Sequence, residues 1–130
     1  MTYTGYFSMV KKYKRLGLCC ISIAQFNPAW YNGVSFPELA PSQSLLGQYK
    51  FAGLRQEDYK RIYIEELRRP EAVSSMEKLR KKALEDPRDL ILLCYEKPGE
   101  FCHRHLLAEV LNERYPDVFQ IKEYEQIPGL

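Results

Sequence analysis

Between Cys94 and His105 the chain reads Cys94-Tyr95-Glu96-Lys97-Pro98-Gly99-Glu100-Phe101-Cys102-His103-Arg104-His105. Few short stretches hold so many groups able to do chemistry. A thiol beside cations at a helix start is favoured as the thiolate, which is the nucleophilic form. An imidazole or a carboxylate moves protons. A guanidinium grips an anion with a planar fork of donors. On these types Cys94, Glu96 and His103 are the catalytic candidates. Lys97, Cys102 and Arg104 are candidates for holding a small anion. Plainer roles compete. Cys94 closes an apolar run, Cys102 precedes Leu106 by one turn, and Arg104 with Glu96 could form a structural ion pair. Pro98 and Gly99 are ordinary turn residues. The donor set Cys94, Cys102, His103 and His105 also has zinc-binding character, but its spacing matches no common zinc knuckle. Neighbours on a helix diverge by about 100°, so Cys102 and His103 are not expected to share an ion. No metal ligand is assigned and no cofactor is implied.

Elements must place those residues. Leu90-Ile91-Leu92-Leu93-Cys94 is an unbroken apolar run, fenced by Asp86-Pro87-Arg88-Asp89 and Lys97-Pro98-Gly99. So short a run reads as a strand buried on both faces. A loop follows, then a helix with Leu106, Leu107, Val110 and Leu111 as its inward stripe and Cys102, His103 and Arg104 in its first turn. Tyr3 to Phe7 reads as a first strand. Ser8 is placed to cap a helix over Met9 to Arg15, and Gly17 to end it. Leu18 to Ala24 is a second strand, apolar on both faces, with Cys19 and Cys20 pointing opposite ways. From Gln25 to Pro41 three prolines and a glycine exclude a regular element. That loop holds Asn27 and Trp30 and should fold over the strand ends. Ser42 should cap a short helix that Gly53 breaks. Arg55 to Arg69 has amphipathic spacing in Tyr59, Ile62, Tyr63 and Leu67, with Glu66 off pattern. Pro70 stops that helix or opens the next, marked by Val73, Met76, Leu79, Ala83 and Leu84, which Asp86-Pro87 closes. Val118 to Tyr124 alternates well enough for a last strand, and the tail beyond it is expected to be loose.

In 130 residues there is room for one domain and one core. With 45% apolar and 28% charged residues the chain should fold. A net charge of +2 gives no field that by itself demands nucleic acid. The basic clusters at Lys11 to Arg15 and Lys78 to Lys82 read first as solvated helix faces. No apolar run approaches the ~20 residues of a membrane span, and no signal peptide is visible. A cytoplasmic location follows, and in a reducing cytosol disulfides are not expected among the four cysteines.

Several of these residues also carry a resemblance. Leu92-Leu93-Cys94-Tyr95-Glu96-Lys97, followed by Cys102-His103-Arg104 and Leu106-Leu107-Ala108-Glu109, resembles the signature of the YeaO-like family, domain of unknown function 488. Tyr3 to Phe7, Ile21 to Ala24, Pro28-x-Trp30 and Leu39-Ala40-Pro41 fall in the order that family uses. The resemblance implies a small cytoplasmic α/β domain from bacteria or their phages, and it brings no established activity. A cysteine at a strand end with an arginine on the next helix also resembles the loop of rhodaneses and cysteine phosphatases. The spacing departs from it, since Cys94 to Arg104 is longer and Cys102 to Arg104 shorter than that loop.

The expected fold is α/β: a small three-layer Rossmann-like domain with about four mostly parallel strands and flanking helices. Ligands of such sheets bind outside the carboxyl ends of the strands. Tyr6 and Ser8 follow the first strand there, Asn27 and Trp30 the second, and Cys94 to Arg104 the third. The expected function is an anion- or nucleotide-binding pocket able to do catalysis, with Tyr6 or Trp30 stacking on a base. The alternative is a non-catalytic module that binds nucleic acid or protein through its basic helices and aromatic loop.

Overall fold

The computed structural model describes residues 1–96 and 101–124. Lys97, Pro98 and Gly99, and the tail after Tyr124, lie outside them. Five strands, β1 (Thr2–Tyr6), β2 (Cys19–Ser22), β3 (Val34–Ser35), β4 (Leu90–Cys94) and β5 (Lys122–Glu123), form one sheet in the order β3-β2-β4-β1-β5. Every pairing is parallel. The α-helices are α1 (Val10–Arg15), α2 (Gln43–Phe51), α3 (Gln56–Glu66), α4 (Pro70–Glu85) and α5 (His103–Arg114).

Alternation along β4 sorts the core. Leu90 and Leu92 face one side, with Cys19, Ile21 and Ile23 of the β2 segment, against Tyr59 and Tyr63 of α3, Met76 and Leu79 of α4 and Leu107 and Leu111 of α5. Ile91 and Leu93 face the other, with Cys20 and Ala24, against Val10 and Tyr13 of α1. Cys19 and Cys20 therefore part as the two-residue period requires. The layers are unequal. Four helices cover one face, and the other has one short helix eked out by Tyr3, Tyr31 and Tyr124.

Local chemistry fixes the element ends. Gly17 stops α1 at φ +80°, a conformation that side chains avoid. Ser42 caps α2, its Oγ accepting from the Leu45 N–H at 3.1 Å. Glu66, the polar residue out of step on α3, accepts from the Ser42 N–H at 2.9 Å and from its hydroxyl at 2.5 Å. Pro70 opens α4 at the position where its missing N–H costs nothing. Ser8 is no cap: a 3-10 turn, Phe7–Met9, intervenes, and Met9 precedes α1 with no side-chain bond. The stretch read as free of regular structure contains β3. Pro28 and Pro37 flank that strand rather than interrupt it, while the Tyr31 hydroxyl donates to the Val34 carbonyl at 2.6 Å. The sheet thus has five strands where about four were expected. The last strand is shorter than its alternation suggested, because the Ile121 N–H bonds Asn112 Oδ1 on α5 at 2.7 Å instead of a neighbouring strand.

Candidate functional site

Cys94 is the last residue of β4, in register with Tyr6 at the end of β1. Alternation turns its side chain to the face that α5 covers. Cys102 is the residue before α5, with extended backbone at φ −149°, ψ 145°. It lies outside the first turn where the sequence placed it. The 100° divergence expected of two helical neighbours therefore does not hold for Cys102 and His103. Their donor atoms and the sulfur of Cys94 lie within 4.8 Å of one another, all on buried residues. The structure joins the sulfurs of Cys94 and Cys102, against the expectation of unpaired cysteines, because a strand end and a helix start eight positions apart meet in space. Their Cα atoms are 7.7 Å apart. That is wider than the roughly 4.4–6.8 Å over which cysteines bridge without backbone movement. The backbone thus suits two facing thiols better than a permanent bridge. Cys19 and Cys20 are free and buried.

Arg104 organises the centre. It is fully buried, at 0% exposure. One terminal nitrogen donates to Cys94 Sγ at 3.0 Å and to the Glu96 carbonyl. Nε and the other terminal nitrogen grip Glu123 of β5 at 3.1 and 2.8 Å. Its ionic partner is thus Glu123, not the Glu96 carboxylate. Glu123 also accepts from the Thr4 hydroxyl and lies 3.1 Å from His105 Nε2. Burial pushes the Glu123 carboxyl upward, but the Arg104 and Thr4 hydrogen bonds outweigh it and hold the group below its ordinary range. Glu96 is half-buried, with Oε2 3.4 Å from Cys94 Sγ.

His103 is packed edge-on against Tyr63, with Nε2 2.7 Å from the Ile23 carbonyl just past β2. A carbonyl only accepts, so Nε2 carries the hydrogen and Nδ1 carries a lone pair. Nδ1 lies 3.9 Å from Cys102 Sγ. Burial lowers the His103 pKa to about 4, helped by Arg104 and opposed by the Ile23 bond, so the ring is neutral near neutral pH.

The other expected residues sit above this centre or apart from it. Trp30 is 59% exposed, with its ring 6.3 Å from that of buried Phe7. Phe7 also packs on Tyr95 at 4.9 Å, and the Tyr95 hydroxyl donates to the Phe26 carbonyl at 2.8 Å. Phe26, Trp30 and Tyr95 are thus exposed aromatics gathered around Phe7 and the Phe26 carbonyl, and Tyr95 directly follows Cys94. Asn27 is engaged in the loop, accepting from the Ser22 hydroxyl and donating to Ser35 Oγ at 3.2 Å. Tyr6 is half-buried, its backbone N–H on the Tyr13 hydroxyl at 3.4 Å, and Ser8 is exposed. A cleft of about 660 Å³ lies to one side, lined by Gln25, Glu38, Ser42, Glu66 and Arg69 and not by the thiols. Sequence reasoning missed Glu123, Thr4 and Tyr95. A charged residue in an otherwise strand-like stretch was the one available sign of Glu123.

A family model described as DUF488-N3a, the active DUF488-N3 subclade, matches residues 21–115. The chain belongs to the DUF488 family. No curated protein and no solved structure matches it. The DUF488 match takes in Trp30, Cys94, Glu96, Cys102, His103 and Arg104, and stops short of Thr4 and Glu123. Among the described residues of this DUF488 chain no helix is long and apolar enough to cross a membrane.

Proposed function

We propose that this cytoplasmic domain binds a small anionic, nucleotide-like molecule over the carboxyl ends of β1, β2 and β4 and acts on it through the Cys94 thiolate. One observation carries the reading: a buried guanidinium, itself pinned by a carboxylate, donates to the Cys94 sulfur at 3.0 Å. Such a donor favours the thiolate over the thiol. Glu96 takes the thiol proton. Arg104 positions and activates the sulfur rather than gripping the ligand, since four of its N–H bonds already have partners. Trp30 offers a face for a base, with Tyr6, Ser8 and Asn27 at the rim and the start of α5 supplying positive potential.

Trp30 is the only tryptophan, so its fluorescence reports the site. Nucleoside phosphates should quench it saturably, and Cys94→Ser should bind them equally but lose turnover. Mass mapping after limited alkylation of the reduced chain should find Cys94 modified well before Cys20, whose thiol burial pushes up to about 11. If no nucleotide or phosphate alters the fluorescence and all four cysteines react only on unfolding, the proposal fails.

A second reading rests on the exposed Phe26, Trp30 and Tyr95, which suit a non-catalytic nucleic-acid surface. Binding of a single-stranded oligonucleotide that falls steeply with salt and ignores Cys94→Ser would favour it.

A further inference from the structure

The centre holds three soft or borderline donors with no water-loving oxygen among them: Cys94 Sγ, Cys102 Sγ and a ring nitrogen of His103, within 4.8 Å of one another. We propose that, with both thiols reduced, these three residues form a site for a soft divalent cation, zinc by the chemistry of its ligands.

Four features of the geometry converge on this. Two sulfurs and an imidazole are the donor set that zinc takes when its fourth position is kept for solvent or a ligand. The 7.7 Å between the Cα atoms, too wide for an easy bridge, lets the two sulfurs part once reduced, far enough for each to sit about 2.3 Å from an ion. The Ile23 carbonyl holds the hydrogen on Nε2 and turns the ring so that the Nδ1 lone pair faces Cys102. That is the outer bond that metal-binding histidines keep. Arg104 donates to Cys94 Sγ at 3.0 Å, as a stabiliser of a metal-bound thiolate would. The extended backbone at Cys102 is what lets it and His103 converge.

Binding forms two metal–sulfur bonds and one metal–nitrogen bond. Two thiol protons leave to solvent and no electrons move. The inference goes beyond thiol catalysis and limits it, because a seated cation removes Cys94 as a free nucleophile. Metal occupancy and thiol reactivity then exclude each other at one centre.

The full chain, reduced with a phosphine under inert gas, is titrated with Co²⁺ as a spectroscopic probe and then with Zn²⁺. One equivalent of cobalt should give the bands of a tetrahedral thiolate site, and zinc should bleach them. Zinc should slow alkylation of Cys94 and Cys102 by about tenfold or more without altering Cys19 and Cys20. Cys102→Ser and His103→Gln should each weaken binding by about tenfold or more, and the chain with its sulfurs joined should not bind. Absence of the bands, bands unchanged when Cys102→Ser and His103→Gln are combined, or absence of protection in the unmodified chain overturns the site. The protection measurement needs no variant, so a substitution that prevents folding does not rescue the proposal. Nucleotide quenching of Trp30 in the metal-free chain tests the catalytic reading separately.

Discussion

Glu123 shows how much one carboxylate can govern. It receives two N–H bonds from a fully buried guanidinium and a hydroxyl from Thr4. Hydrogen bonds to charged groups are worth about 1.5–3 kcal/mol, so Glu123→Gln should cost about that much at neutral pH, read as a shift in urea midpoint. The pH dependence has a definite sign. The folded state holds this carboxyl below the ordinary value of 4.5. Its stabilisation is therefore complete above about pH 4.5 and is lost as pH falls through the lowered folded value. In Glu123→Gln that acid-side loss should shrink. An equally steep loss in the variant would show that other groups set the acid limit. Arg104→Ala should be harsher, about 3–5 kcal/mol, because a partly buried carboxylate is left without its cation. Alkylation of Cys94 in any folded fraction should also slow.

Packing of the elements leaves little slack beneath the centre. A Cβ added at Gly5 in β1 would meet the Tyr13 hydroxyl at 2.6 Å and an Ile91 methyl at 2.7 Å. Overpacking of this kind costs about 1–3 kcal/mol, so Gly5→Ala should lower the melting temperature, and pairing it with Tyr13→Phe should restore part of the loss. Ser42→Ala should cost about 1 kcal/mol in thermal unfolding through loss of the α2 cap, with Glu66 then deprived of a donor. At this scale much was legible. Apolar runs marked β2 and β4, because strands buried on both faces have nothing else to show. Gly17, Ser42 and Pro70 marked helix ends, because backbone rules act locally. The polar Glu66 was visible only as an exception, since its partner lies 24 positions away. β3 was hidden because two residues held by side-chain bonds leave no periodicity to read.

Across the molecule the site is a meeting of distant segments, which is why the sequence showed its core and not its support. Cys94, Cys102, His103 and Arg104 are near neighbours in number, so their clustering was readable. Ile23, Thr4 and Glu123 reach them only through strand order, with β1 between β4 and β5 and β2 on the other side of β4. No local pattern encodes that order. Arg104, expected from the sequence to hold a small anion, is instead interior, with donors that found partners within the chain. The unequal layers make a further prediction. Amide hydrogen exchange should be slowest in β4, flanked by β1 and β2 and buried throughout, and fastest in the two-residue edges β3 and β5. Equal protection of β5 and β4 would contradict this ranking.

Thr4 and Glu123 are joined by a hydrogen bond across 119 positions. During synthesis the sulfur at position 94 leaves the ribosome well before the acid that anchors its arginine. The newborn domain must therefore pass through a period when that guanidinium lacks its tether and the thiol lacks a fixed neighbour. The centre's full set of hydrogen bonds is complete only when the short edge strand docks.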